Sequence, residues 1–245
     1  MRIAFRVGEI IFANEAVRKR FRQTLMKSLR TNRSRRTSGF SLLELVMVLA
    51  LIVIMSSITF ISLQPMLRQQ RLNNAYNTVL GAMRQARDNS VAQRTSYRVT
   101  LDSTTTPHSV RVEPTLAGPQ GIQAAVTYTL PTDVKFSAES GIPTAPTKTP
   151  DGFGTGALAI DFGYNSLGGT GGKNQIYFCP DGTAQWDLPA NGGQCGGNLN
   201  NGVVYIARQG QLLTSRAITV WGATGRMRGW RLYNGGAGGV VWQRQ

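Results

Sequence analysis

One carboxylate, Glu44, lies inside an otherwise uncharged run of 24 residues, 40–63, and a glycine, Gly39, stands directly before that run. About 20 apolar residues of helix cross a bilayer core, and an acid at the middle of such a helix costs about 3 kcal/mol, less near the interface, unless a cation meets it. Hydrolysis of the Gly39–Phe40 bond would create that cation as the α-amino group of Phe40. A neighbouring copy with its helix packed alongside would carry it to the depth of Glu44. The chemistry implied is a cut made by another enzyme, followed by pairing of a carboxylate with an α-ammonium group. The plain alternative is a single-pass anchor that never assembles.

Other reactive residues are sparse. Cys179 and Cys195 bracket the 15 residues PDGTAQWDLPANGGQ. Outside the cytoplasm a disulfide is expected there, stabilising by about 3 kcal/mol through chain entropy; the alternative is two free thiols, one buried in a strand. Two thiols are too few for a structural metal site, and no third ligand lies nearby. The single histidine, His108, sits in the polar stretch TTTPHSV and is expected to be an exposed loop residue. GGTGGKN (168–174) resembles a phosphate loop only superficially: Leu167 stands where a glycine is needed, Asn174 where Ser or Thr is needed, and a strand follows rather than a helix. It reads as a hairpin loop, and GFGTG (152–156) as a turn. No catalytic set, metal or cofactor is expected.

The formal net charge of +15 is unevenly spread. Residues 1–39 carry 11 Lys/Arg and 2 Asp/Glu, residues 40–202 carry 10 of each, and residues 203–245 carry 6 Arg and no acid. The last group is Arg208, Arg216, Arg226, Arg228, Arg231 and Arg244, interleaved with Trp221, Trp230, Tyr233 and Trp242. Unbalanced cations attract polyanions, and aromatic faces stack on bases. A solvated strand end without a partner is the competing account.

These residues need elements to hold them. Arg18, Lys19, Arg20, Arg22, Lys27, Arg30, Arg33, Arg35 and Arg36 precede the apolar run and favour a cytoplasmic N-terminus. The run is too long for a cleaved secretory signal, and Gln64-Pro65-Met66 is a poor cleavage site. After Pro65, where a kink is expected, Leu72, Tyr76, Val79, Leu80, Met83, Ala86 and Val91 form one helical stripe. One helix over 41–94 is expected, roughly 80 Å long at 1.5 Å per residue, with Arg68, Arg71, Arg84, Arg87, Asp88 and Arg94 on its other face. From Ser96 the period becomes two. Strands are expected at 97–101, 110–112, 125–130, 134–136, 158–162, 175–178, 203–207, 217–221 and 229–233, with the Pro/Thr stretch 142–150 as a loop. The sum is an α+β domain with antiparallel sheets.

Gly39-Phe40-Ser41-Leu42-Leu43-Glu44-Leu45 before a long apolar helix resembles the N-terminal signal of type IV pilins and type II secretion pseudopilins. The segments IYFCPDGTAQW (176–186) and ITVWGATGRMRGW (218–230) are similar to the GspH/FimT branch of minor pseudopilins. The resemblance implies a pilin-like long helix on a β-sandwich. It implies cleavage after Gly39 by prepilin peptidase, N-methylation of Phe40, and Glu44 as the assembly glutamate. The implied partners are other pilins or pseudopilins and the inner membrane, with residues 95–245 periplasmic. Residues 1–39 would be the leader, 40–63 the transmembrane half of the helix and 64–94 its amphipathic half. The leader is long for the family, and Met26 offers an alternative start. Gly225-Arg226-Met227-Arg228 matches the GRxR pattern tied to DNA binding in FimT-like proteins, which implies Arg226 and Arg228 as phosphate contacts with Arg231 and Arg216 in support.

Overall fold

The computed structural model describes residues 39–115, 124–164, 171–187, 195, 199–236 and 239–245. The chain forms two units, Met1–Thr59 and Phe60–Gln245. Helix α1 (Leu42–Gln93) starts in the first and continues in the second.

In the first unit the helix start is set locally. The Ser41 hydroxyl accepts the Glu44 amide at 3.2 Å, and the Ser41 carbonyl accepts the Leu45 amide at 3.1 Å. Ser at the N-cap with Glu three residues on is the capping-box pattern. Every described residue up to Thr59 is exposed, and the helix is long and apolar enough to cross a membrane. The Ser57 and Thr59 hydroxyls donate to the Val53 and Met55 carbonyls at 2.7 and 2.9 Å, so both find partners within the helix.

In the second unit α1 runs on through Pro65. Its buried stripe is Leu72, Ala75, Tyr76, Val79, Leu80, Ala82, Met83, Ala86 and Ser90. The stripe differs from expectation at its end. Val91 is exposed, while Ser90 is fully buried and its hydroxyl donates to the carbonyls of Arg87 and Cys179. The helix stops where Arg94 turns left-handed (φ 53°), which lets the Thr95 amide reach back to the Ser90 carbonyl at 3.3 Å.

Among the described residues eleven strands follow: β1 (Tyr97–Asp102), β2 (Ser109–Pro114), β3 (Val126–Thr129), β4 (Lys135–Phe136), β5 (Ile160–Tyr164), β6 (Gln175–Phe178), β7 (Ala184–Gln185), β8 (Asn201–Ala207), β9 (Arg216–Trp221), β10 (Arg226–Asn234) and β11 (Val240–Arg244). They form two sheets, ordered β3-β2-β1-β6-β7 and β11-β10-β9-β8-β4, with β5 also paired to β8. Every strand pairing is antiparallel. All nine expected strands are present; β7 and β11 are additional.

The main core joins the helix stripe to both sheets through Val99, Leu101, Val110, Ile176 and Phe178 on one and Phe136, Phe162, Val204, Ile206, Ile218 and Val220 on the other. A second cluster, with Ile142, Phe153, Val203, Tyr205, Ala217 and Leu232, collects Trp221, Trp230 and Trp242 around it. The loop 142–153 belongs to this cluster and covers the face of the second sheet that does not meet the helix. The fold is therefore α+β, with one long helix packed on antiparallel sheet.

Candidate functional site

The N-terminal constellation is open. Phe40 is 74% exposed and Glu44 is exposed one turn inside the helix. An acid in the first helical turn also faces the positive end of the helix dipole. Glu44 thus has a local reason for its place.

Strand β10 holds the second constellation, and alternation divides its arginines between two faces. Arg228 and Trp230 share one face; Met227, Gly229 and Arg231 share the other, toward α1. Gly229 has no side chain for a geometric reason: a β-carbon there would lie 1.7 Å from the Tyr76 hydroxyl. The three β10 arginines and Arg216, which lies opposite Arg231 on β9, have four different surroundings.

Arg226 is exposed. It lines a groove with Arg84, Arg87 and Asp88 of α1 and with Thr224, Gly225 and Met227. Arg87 is fixed there by donating to the carbonyls of Gly182 and Thr224 at 3.4 and 3.1 Å. Gly225 (φ 57°) must be glycine, since a β-carbon would meet the Gly182 carbonyl at 2.3 Å. Arg84 and Arg87 carry the same charge to this groove as Arg226. Sequence reading placed them on the other face of the helix, solvated or in contact with neighbouring subunits, because the pairing of a helix turn with the 222–225 turn leaves no local signal.

Arg228 is committed internally. Its Nη1 donates to Asp151 at 2.6 Å, and the guanidinium stacks 5.0 Å from the Trp221 ring centroid. Asp151 also accepts the Thr219 hydroxyl at 2.6 Å and the Trp221 indole N–H at 3.2 Å. The acid-free tail therefore draws its countercharge from a loop more than fifty residues earlier, and a phosphate at Arg228 would have to displace a partner that is nearly buried. The tryptophans correct the sequence expectation in the same way. Trp221, Trp230 and Trp242 pack on the second core cluster and do not stand free as base-stacking platforms.

Arg216 is only 4% exposed. Its Nη2 donates to Asn73, and its guanidinium lies 5.7 Å from the Tyr76 ring centroid. Burial, and then the neighbouring Arg231, pull its pKa below the ordinary arginine value. Arg231 is half-buried and lies over the Tyr233 ring at 5.0 Å. Arg208 is 3.5 Å from Asp133, so its charge too is met from earlier in the chain.

Cys179 and Cys195 are joined in a disulfide with a Cα–Cα distance of 5.9 Å. Residues 188–194 of the loop they close lie outside the described residues. His108 differs from expectation: it is buried, its Nδ1 accepts the Phe136 amide at 3.0 Å, and its ring packs 5.6 Å from that of Phe136. Burial, then Lys135, lowers its pKa. The described part of the glycine loop closes on Asp161, whose carboxylate accepts the amides of Thr155 and Gly172 at 3.0 and 2.8 Å. An acid at its centre is wrong for holding phosphate; residues 168–170 lie outside the described set.

No protein-family model matches the chain, and neither a curated protein nor a solved structure does.

Proposed function

We propose that the protein is a non-enzymatic filament subunit of the pilin and pseudopilin type, a minor GspH/FimT-like member with a pilin-like β-sandwich. It is made as a precursor, anchored in the inner membrane with its N-terminus in the cytoplasm, cut after Gly39 and assembled into a type II secretion pseudopilus or a type IV pilus. One observation carries the reading: an exposed apolar helix begins two residues after Phe40, so the Gly39–Phe40 bond lies outside it and Glu44 one turn inside. That spacing supports a bond open to a peptidase and an acid within reach of a neighbour's new N-terminus.

The test is intact-mass and N-terminal analysis of the full chain, expressed with and without a prepilin peptidase. A product beginning at methylated Phe40 only when the peptidase is present is expected. A wild-type chain left uncut by an active peptidase leaves a tethered β domain and ends the filament reading.

A second reading, a minor pilin that binds DNA, has the groove of Arg226, Arg84 and Arg87 in its favour. It relies on Arg226 rather than on the ion-paired Arg228. Arg226→Ala in the full chain should weaken binding to duplexes of any sequence and reduce the slope of log affinity against log salt by about one unit. Absence of DNA binding by the wild-type protein at low salt eliminates it.

A further inference from the structure

Arg216 and Arg231 are directly opposite each other in the β9–β10 register, both on the face toward α1. Like charges placed opposite across an antiparallel pair repel, and here one of the two is almost completely buried. The Arg216 Nε is buried without a hydrogen-bond partner. Beside the pair is a cavity of about 400 Å³ whose lining adds Arg68 from α1 and Arg208 just after β8, with Gln69 and Thr214, and among the described residues includes no carboxylate. Among the described residues the one ion pair made by any of the four arginines is that of Arg208 with Asp133 at 3.5 Å. The arrangement is costly in the free protein and suits a bound anion. Arginine forks match the oxygens of phosphate in pairs, and the volume holds a phosphoryl group with part of the molecule that bears it.

We propose that this cavity binds a phosphate group, and that its occupant is the headgroup of an anionic phospholipid. The lipid assignment rests on the membrane-spanning reading of residues 40–63. Pro65 and Arg68, both lining the cavity, follow the last apolar residue of that run, Leu63, by two and five positions. At 1.5 Å per residue this is roughly 3 and 8 Å along the helix. The headgroup layer extends roughly 6 Å beyond the hydrocarbon on each side. The cavity therefore lies at the level where lipid phosphates are found. A nucleic acid phosphate is the rival occupant.

The experiment uses the full chain. In nonionic detergent, inorganic phosphate should raise the thermal unfolding midpoint of the wild type. Arg231→Gln and Arg68→Gln should each bind phosphate about tenfold more weakly, the loss of one charge-assisted contact, while Arg226→Gln should bind as wild type. Arg231→Gln should also unfold no earlier than wild type in phosphate-free buffer, because it removes a repulsion; a variant that loses stability there while keeping its phosphate response would show a purely structural arginine. Equal phosphate response in all four proteins, or none in any, overturns the site. In nanodiscs, native mass spectrometry should find phosphatidylglycerol retained over phosphatidylcholine by the wild type and not by Arg231→Gln. Equal retention of the two lipids, or displacement of the lipid by a short oligonucleotide that depends on Arg231, overturns the lipid assignment alone. Failure of the chain to enter nanodiscs, with phosphate still bound in detergent, overturns the membrane reading and the lipid assignment together.

Discussion

Asp151 ties the loop 142–153 to the second sheet. It adopts a left-handed backbone (φ 52°), and its carboxylate, only 6% exposed, meets Arg228, Thr219 and Trp221. Removing one partner of a buried pair leaves the other charge uncompensated. Asp151→Ala should cost about 3 kcal/mol in chemical unfolding, at the low end for such pairs because Arg228 keeps some solvent. Combining it with Arg228→Met should recover part of that loss; an additive double mutant would show that the two residues are not coupled. None of this was visible in the sequence. Arg226 and Arg228 look equivalent in GRMR, and only the long-range return of the loop tells them apart. His108 makes the same point, a lone histidine among polar residues that the β2–β4 region encloses. Its lowered pKa means that the unfolded chain binds the proton first as pH falls. Stability should accordingly decline as pH drops below about 6.5, the ordinary histidine value. His108→Asn, which keeps an acceptor for the Phe136 amide, should flatten the decline between pH 7 and 5 in urea titrations.

The elements were largely legible because their periods are. An apolar stripe of period 3.6 marks α1 from Leu72 to Ala86, and alternation marks β1, β2, β8 and β9. What escaped has physical causes. Two residues, as in β7, cannot display a period, and β11 is a five-residue strand that follows the glycine-rich segment 235–239. The buried face of Tyr76 was legible, but what it meets was not. Its hydroxyl occupies the space a side chain at position 229 would need. Gly229→Ala should therefore destabilise the helix-to-sheet packing by about 2 kcal/mol, the cost of overpacking. Tyr76→Phe in the same chain should return part of the loss by removing the clashing oxygen. If Gly229→Ala unfolds at the wild-type midpoint, the close approach of β10 to α1 described here is incorrect.

For the molecule as a whole, the open question at the N-terminus is whether Glu44 serves its own helix or its neighbour's. Both accounts begin from the same geometry, Ser41 capping the first turn and the acid three residues on. They separate on charge. A cap needs oxygen atoms of the right length, which glutamine supplies, whereas pairing with an α-ammonium group needs the anion. Glu44→Gln should leave expression, membrane insertion and cleavage after Gly39 unchanged, because the bond cut lies outside the helix. It should nevertheless remove the subunit from sheared or crosslinked filaments when co-produced with the assembly machinery that takes up the wild type. Glu44→Ala should behave likewise. Incorporation of Glu44→Gln at the wild-type level would assign the carboxylate to helix initiation alone and leave the pairing of copies without its counterion.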